Sequence, residues 1–395
     1  MVKRCAMAVK HKFTATVSRG LESALSRELQ GLGVAGVEEG RGAVYFKGDL
    51  LAAYRVCLWS RIASRVLMPL TSFKAYSEAE LYERVKGVEW CDHVRPDSSI
   101  AIDFVGRPRW LKNTMFGVQR VKDAIVDQVR ERRGSRPSVN RNNPDLRVNV
   151  HAGREEVVVS VDLSGDPLHM RGAGRVEGPA PLKETLAAGL LSYADWRKAS
   201  RKGAPLVDPM CGSGMFLVEA AGIALDRAPG LHRRHWGFAR WPGHDKAGWR
   251  NLHRQAVERA EAAKGRQVTI LGGDVDPEAI EAAEGNLRRA GVFNSVTLKN
   301  APMERMMPPR GDAGIVVANP PYGERLGTLD EAMATHKSLG DHLWRNFQGW
   351  DCWVLTAHGP LVGALGMKPA KRIPLFNGPL DCRWLHLPVR FREKR

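Results

Sequence analysis

Cysteine is scarce in this chain: six residues in 395 (Cys5, Cys57, Cys91, Cys211, Cys352 and Cys382), far apart and with no Cys-x-x-Cys pair. That spacing excludes a zinc ribbon and argues against a disulfide scaffold. Long apolar runs are lacking too. No stretch approaches the roughly 20 residues that cross a bilayer. The N-terminus, MVKRCAMAVKHKF, has positive charge but no apolar h-region, so no signal peptide is expected. Internal repeats and low-complexity tracts are absent. Acidic residues are in deficit, with 43 Asp+Glu against 60 Lys+Arg and a formal net charge of +17. An excess of that size favours a polyanionic partner, and without a membrane span nucleic acid is the better choice. The expectation is a cytoplasmic protein that meets nucleic acid. At 43% hydrophobic and 26% charged residues the chain can bury a core, and its length predicts two or three domains.

Four stretches are distinguishable. Residues 1–70 read as a small α+β unit: Leu21, Leu25, Leu29 and Leu32 share one helical face with Gly33 as the stop, 43–48 is a strand, and a second helix follows Asp49. Residues 71–165 form another block, with helices at 78–86 and 114–133 and strands at 100–105, 146–151 and 157–162. The long helix ends in Arg130, Arg132, Arg133 and Gly134. Arginines in a last turn suit the helix dipole, and glycine closes the helix. Yet residues 101–150 hold eleven Lys/Arg against five Asp/Glu, so Arg130, Arg132, Arg133 and Arg136 are candidate phosphate contacts as well as a solvated face. Residues 166–180, with three glycines and two prolines, have a linker composition. Beyond them strands alternate with helices, the pattern of a mostly parallel sheet. Its strands read at 204–207, 268–273, 295–299, 314–318, 352–357 and 384–389.

Three motifs carry chemistry. In PLVDPMCGSGMFLVEAAGIAL (205–225) a strand ends at Asp208 and a turn with Gly212 and Gly214 leads into a helix. Such glycines tolerate positive φ and let a ligand approach the backbone. Leu217 stands where a dinucleotide fingerprint has its third glycine, so a nucleoside cofactor fits better than NAD. In ILGGDVDPEAIEAAEGNLRRAG (270–291) a strand ends at Asp274, suited to ribose hydroxyls, while Asp276 can cap the helix that Pro277 begins. In AGIVVANPPYGERLG (313–327) a buried strand runs into Asn319-Pro320-Pro321-Tyr322. Two prolines cannot continue a ladder, so the chain leaves the sheet in a rigid turn. Asn319 Oδ1 and the Pro320 carbonyl can accept both protons of an exocyclic amine, and Tyr322 can stack on its ring.

Together DPMCGSG, the acidic strand end and NPPYGER resemble class I S-adenosylmethionine-dependent methyltransferases that modify amino groups of bases. With RVKDAIVD (120–127), LSGDPLHMRG (163–172), APLKETLAAGLL (180–191) and LFNGPLDC (375–382), the resemblance extends to the THUMP-domain RNA guanine-N2 methyltransferases, RlmL type, which act on 23S ribosomal RNA. It implies an α/β architecture: a Rossmann-like class I methyltransferase domain with a mostly parallel seven-stranded sheet (181–395), preceded by a ferredoxin-like domain (1–70), a THUMP RNA-binding domain (71–165) and the linker (166–180). Asp208, Gly212 and Gly214 would line the methionine end of S-adenosyl-L-methionine. Lys183 and Glu184 would belong to the cofactor-binding segment before it, Asp274 would hold the ribose and Asn300 would face the adenine amine. Asn319, Pro320, Pro321 and Tyr322 would handle the base. Two departures stand out: Met215 replaces a small hydroxyl residue, and Asn300 an Asp. Some such enzymes carry a second methyltransferase domain; the sequence stops at Arg395, so that activity is not expected.

Between the first two motifs, residues 228–255 alternate Trp236, Phe238, Trp241 and Trp249 with Arg233, Arg234, Arg240 and Arg250. This mixture suits unpaired RNA, and equally a local aromatic core. The four histidines there have no Cys or carboxylate cluster beside them, so no metal is expected. Three rivals share parts of the pattern: an adenine-N6 DNA methyltransferase, a transfer-RNA guanine-N2 methyltransferase, and a non-catalytic RNA-binding or ribosome-assembly protein.

Overall fold

The computed structural model describes residues 10–390 except 155, 173, 177–181, 322–327 and 358. In chain order the N-terminal half carries β1 (His11–Thr16), α1 (Glu22–Gly31), β2 (Ala35–Gly40), β3 (Ala43–Gly48), α2 (Leu50–Trp59), β4 (Arg65–Lys74), α3 (Glu78–Lys86), β5 (Ser99–Val105), α4 (Thr114–Arg133), β6 (Ser138–Val139), β7 (Leu146–Ala152) and β8 (Glu156–Asp162). Local chemistry sets the helix ends. Asp49, Ser77 and Asn113 cap α2, α3 and α4 with side-chain oxygens, and Gly134 at φ 75° closes α4.

Among the described residues these strands form one eight-stranded sheet in the order β2-β3-β1-β4-β8-β7-β5-β6. The boundary expected at residue 70 falls inside β4. Residues 65–67 of that strand pair antiparallel with β1, and residues 67–74 pair with β8. One continuous strand therefore joins the two regions expected on either side of that boundary into a single sheet. Arg65 on β4 also pairs with the fully buried Asp162 on β8.

The chain divides into two compact units. The first comprises the described residues of 1–17, 28–168 and 233–254; the second comprises 18–27, 169–232 and the described residues from 255. The insertion thus belongs largely to the first unit, not to the C-terminal region where its position in the sequence puts it. Its aromatics supply the reason. The Phe238 ring lies 4.2 Å from Tyr54 and 5.0 Å from Trp249, and Trp241 stacks on His93 at 6.0 Å. Arg233 is buried and donates to the carbonyls of Ser164, Asp166 and Pro167 at 2.9–3.0 Å. A Cβ on Gly237 would sit 2.1 Å from the Asp162 carbonyl, so only glycine permits this approach. The local-core reading therefore holds for Trp236, Phe238 and Trp241.

Besides residues 18–27, the second unit carries α5 (Glu184–Tyr193) and α6 (Trp196–Arg201). Then come β9 (Leu206–Asp208), α7 (Met215–Ala224), α8 (Lys246–Ala262, which starts in the first unit), β10 (Ile270–Asp274), α9 (Pro277–Arg289), β11 (Thr297–Asn300), β12 (Ile315–Ala318), α10 (Leu329–Asn346), β13 (Asp351–Ala357), α11 (Pro360–Ala364), β14 (Lys371–Asn377) and β15 (Leu380–Pro388). The seven strands run β11-β10-β9-β12-β13-β15-β14. Five are parallel, and the β14–β15 hairpin closes one edge antiparallel. Val207, Val316, Val354 and Leu385 pack with Leu339, Leu343 and Phe347 of the α10 region in the buried core.

Chain direction decides where the site lies. From β9 the chain moves outward to β10 and β11, then returns to place β12 on the other side of β9. The crevice at the carboxyl ends of β9 and β12 is a topological switch point, where open α/β sheets bind ligands.

Candidate active site

Four polar residues stand at or just past consecutive strand ends: Asp208 on β9, Asp274 on β10, Asn300 on β11 and Asn319 after β12. Asp208 is 1% exposed and accepts the Met210 N–H at 3.3 Å. Burial pushes its carboxyl well above the usual range, and the neighbouring Asp274 carboxylate pushes it the same way.

The turn after β9 is tied at three points. Cys211 N–H donates to the Gly273 carbonyl at 2.8 Å, Gly214 N–H to the Cys211 carbonyl at 2.8 Å, and Gly212 N–H to Asp274 Oδ2 at 2.8 Å. Gly212 has φ 51°, and an added Cβ would meet no described atom within 4 Å, so this backbone is open to a ligand. Gly214 does a different job. It caps α7 at φ 80°, and a Cβ there would press on Ala283 of α9 at 3.0 Å. Met215 in place of a small hydroxyl residue simply begins α7 with a buried side chain.

Asp274 is busier than a ribose ligand needs to be. Its Oδ1 accepts the Asp276 N–H at 3.1 Å while Oδ2 holds Gly212. Each oxygen keeps a second lone pair for a ligand hydroxyl. Asp276 caps α9 through the Glu278 N–H at 2.9 Å, with Pro277 at the first position. Asn300 is exposed, and its Nδ2 donates to the carbonyls of Asp274 and Val275 at 3.0 and 3.1 Å. Its Oδ1 is what remains for a ligand donor.

Asn319 Oδ1 is fully buried and has no hydrogen-bond partner among the described residues. A buried acceptor left unpaired costs about 1–3 kcal/mol, and such an orphan fits a group waiting for a ligand N–H. Pro320 is buried and Pro321 half-buried. Tyr322, expected to stack on the base, lies outside the described residues.

Lys183 is exposed at the start of α5. Glu184 is buried and its pKa raised by burial, with Arg175 Nη1 at 3.1 Å opposing the shift. Arg171 pairs with the buried Glu219 at 3.1 Å. The 169–176 stretch is therefore not a free linker, because two of its arginines neutralise carboxylates inside the second unit. Sequence reasoning also missed Asn286. This buried side chain of α9 donates to the Ser213 carbonyl at 2.9 Å and the Val176 carbonyl at 3.0 Å, and it accepts the Val176 N–H at 2.8 Å. It joins the glycine turn to the incoming chain. Its place on the buried face of an amphipathic helix was the only available signal.

Arg130, Arg132, Arg133 and Arg136 are all exposed on the first unit. Arg130 pairs with Asp127 and Arg132 with Glu89, at 3.0 and 3.6 Å. Exposed pairs of this kind contribute little to stability. Among the described residues there is no group of three or more His, Cys, Asp or Glu able to hold a metal, and no helix long and apolar enough to cross a membrane.

A parallel sheet with a glycine turn after its first strand, an acidic second strand end and an Asn-Pro-Pro turn after its fourth defines a class I methyltransferase fold. A family model described as the RMKL-like methyltransferase domain matches residues 171–386, an RlmL ferredoxin-like domain matches 12–67 and a THUMP domain matches 75–162. The chain belongs to this RMKL-like methyltransferase family. It is 44% identical over 377 residues to a ribosomal RNA large subunit methyltransferase K/L of Methylococcus capsulatus, covering 95% of this chain and 51% of that protein. With the protein of that name from Pseudomonas aeruginosa it shares 43% over 390 residues, 98% of this chain and 54% of the relative. The chain thus spans about half the length of the curated relatives it matches. Among solved structures, one in complex with SAH aligns at TM-score 0.87 and 28% identity, covering 98% of this chain and all of that one. A Listeria monocytogenes protein described as "a predicted N6-adenine-specific DNA methylase" aligns at 0.83 and 31%, covering 95% and 96%.

Proposed function

We propose that the chain methylates the exocyclic N2 amine of a guanine in 23S ribosomal RNA, with S-adenosyl-L-methionine as methyl donor. The orphaned Asn319 Oδ1 at the switch-point crevice carries this reading. When bound, the donor supplies an electrophilic methyl group on a cationic sulfonium centre. The residues present suit such a group. The open backbone at Gly212 permits close approach, Asp274 keeps a lone pair on each carboxylate oxygen for a ligand hydroxyl, and Asn300 Oδ1 offers an acceptor. Glu184 is committed to Arg175.

A guanine amine is a poor nucleophile because its lone pair is delocalised into the ring. Asn319 Oδ1 and the Pro320 carbonyl would accept its two N–H bonds, favour a tetrahedral nitrogen and stabilise the positive charge that develops on it. Holding the nitrogen in line supplies orientation. No strong base is needed beforehand, since the nitrogen becomes acidic once methylated. A paired base cannot reach such a pocket, so the target is unpaired or flipped out.

The same turn would serve an adenine N6 amine, the chemistry in the Listeria neighbour's description. A THUMP domain and an exposed arginine cluster favour RNA instead, and the names of the curated relatives favour the large ribosomal subunit. The test is incubation with S-adenosylmethionine and 23S ribosomal RNA from a strain lacking the gene, then nucleoside mass spectrometry. N2-methylguanosine is expected. Its appearance only in transfer RNA, or N6-methyladenine appearing in DNA, would replace this substrate with a rival.

A further inference from the structure

On the first unit, the insertion leaves an open cleft of about 290 Å³. One wall is the segment Arg233, Arg234 and Trp236; the other is the first turns of α8, with Trp249, Arg250, His253 and Arg254. The described lining thus contains four arginines, one histidine and no carboxylate. The volume is near the lower limit of small-ligand sites, roughly 300–1,000 Å³, and suits one nucleotide unit rather than a duplex groove.

The construction is firm beneath and free above. Arg233 is held by three backbone carbonyls and lies 4.7 Å over the Trp236 ring. Trp236 meets Trp249 edge-on at 5.1 Å, and both touch the Phe238 core. Arg234 and Arg250 are exposed and make no ion pair or side-chain hydrogen bond among the described residues. Two guanidiniums converge on a cleft with a rigid aromatic floor, and the half-buried Trp249 leaves part of its ring accessible. Guanidinium pairs match phosphate oxygens in geometry as well as charge. An aromatic edge beside them adds contact with a sugar or unpaired base.

We infer that this cleft is a backbone subsite for a single-stranded segment of the RNA substrate, with Arg234 and Arg250 on its phosphates and Trp249 against the adjoining nucleoside. The inference rests on the RNA reading above and adds a second basic surface to the Arg130–Arg136 cluster.

The experiment uses the full chain. RNA affinity is measured by filter binding against salt concentration for wild type, Arg234→Glu/Arg250→Glu, and Arg234→Lys/Arg250→Lys. A reversal of equal charge on the other unit, Lys198→Glu/Lys264→Glu, serves as control. The glutamate pair should bind roughly tenfold or more weakly, with the salt slope reduced by about 0.7 per lost phosphate contact. The lysine pair should recover much of the affinity, and S-adenosylmethionine binding should stay at the wild-type level in all variants. Unchanged affinity and slope in the glutamate pair would overturn the subsite, as would an equal loss in the control. Wild-type protein that binds no RNA would instead sink the RNA reading, a separate result.

Discussion

Asp274, at the end of β10, accepts the backbone N–H of Gly212 at 2.8 Å and so pins the turn that follows β9. The acidic residue expected to hold a ribose is also a structural clasp on the loop expected to hold the methionine end. Its second oxygen steadies the start of α9 through Asp276. The expected ligand contact and the loop geometry would therefore be coupled in one side chain.

Asp274→Ala should weaken S-adenosylmethionine binding by about ten- to a hundredfold, the loss expected for a hydrogen bond to a charged group at roughly 1.5–3 kcal/mol. Asp274→Asn keeps one carbonyl oxygen and should fall between. Titration calorimetry measures both. An unchanged dissociation constant for the alanine variant would reduce Asp274 to its clasp role.

Asn319→Ala should separate binding from chemistry. The orphaned Oδ1 is lost, so kcat should drop by about 10²-fold or more, with cofactor affinity nearly intact. Single-turnover methylation beside calorimetry reads the two quantities. Near-wild-type turnover would contradict the assigned role.

Asp208→Asn should trade function for stability. The folded carboxyl sits well above 3.8 because it is buried. A raised folded pKa contributes stability that is present below the unfolded value, about 3.9, and lost as pH rises through the folded value. Asparagine has no such proton to lose. The melting-temperature advantage of the variant should therefore grow from pH 4 upward, while its S-adenosylmethionine affinity falls. A difference independent of pH would mean that the carboxyl ionises without penalty.

Asn300→Asp puts a carboxylate where an amide now donates to two carbonyls, those of Asp274 and Val275. Restoring the family's acid should therefore not help here. The site is exposed, so water softens the cost to about 0.5–1.5 kcal/mol, visible as a lower melting temperature. A tighter cofactor complex with unchanged stability would show that the amide bonds are dispensable.

A fragment of residues 181–395 loses Arg171 and Arg175, leaving Glu219 and Glu184 buried without the cations that pair with them. Breaking a buried pair costs about 3–5 kcal/mol. By thermal melting, 169–395 should be clearly more stable than 181–395, although both lack residues 18–27. Equal melting temperatures would return the 169–176 stretch to a plain linker.

Much was legible in sequence because it depends on neighbours a few residues away. Helical spacing and capping residues place α2, α3, α4 and α9, and the polar strand ends Asp208, Asp274 and Asn319 follow from apolar runs that stop. β14 escaped because an exposed edge strand has little apolar alternation to show. Other features needed the tertiary structure. That β4 unites two expected domains depends on pairing with β1 and β8, about 50 and 90 residues away in the chain. Asn286 meets Val176 across 110 positions, and Arg233 meets Ser164 across 69. Tyr54 meets His244 across 190, which fixes which unit the insertion joins. Periodicity tells a residue which face is buried but not against what. That choice is made by long-range packing, which exists only once the chain has closed on itself.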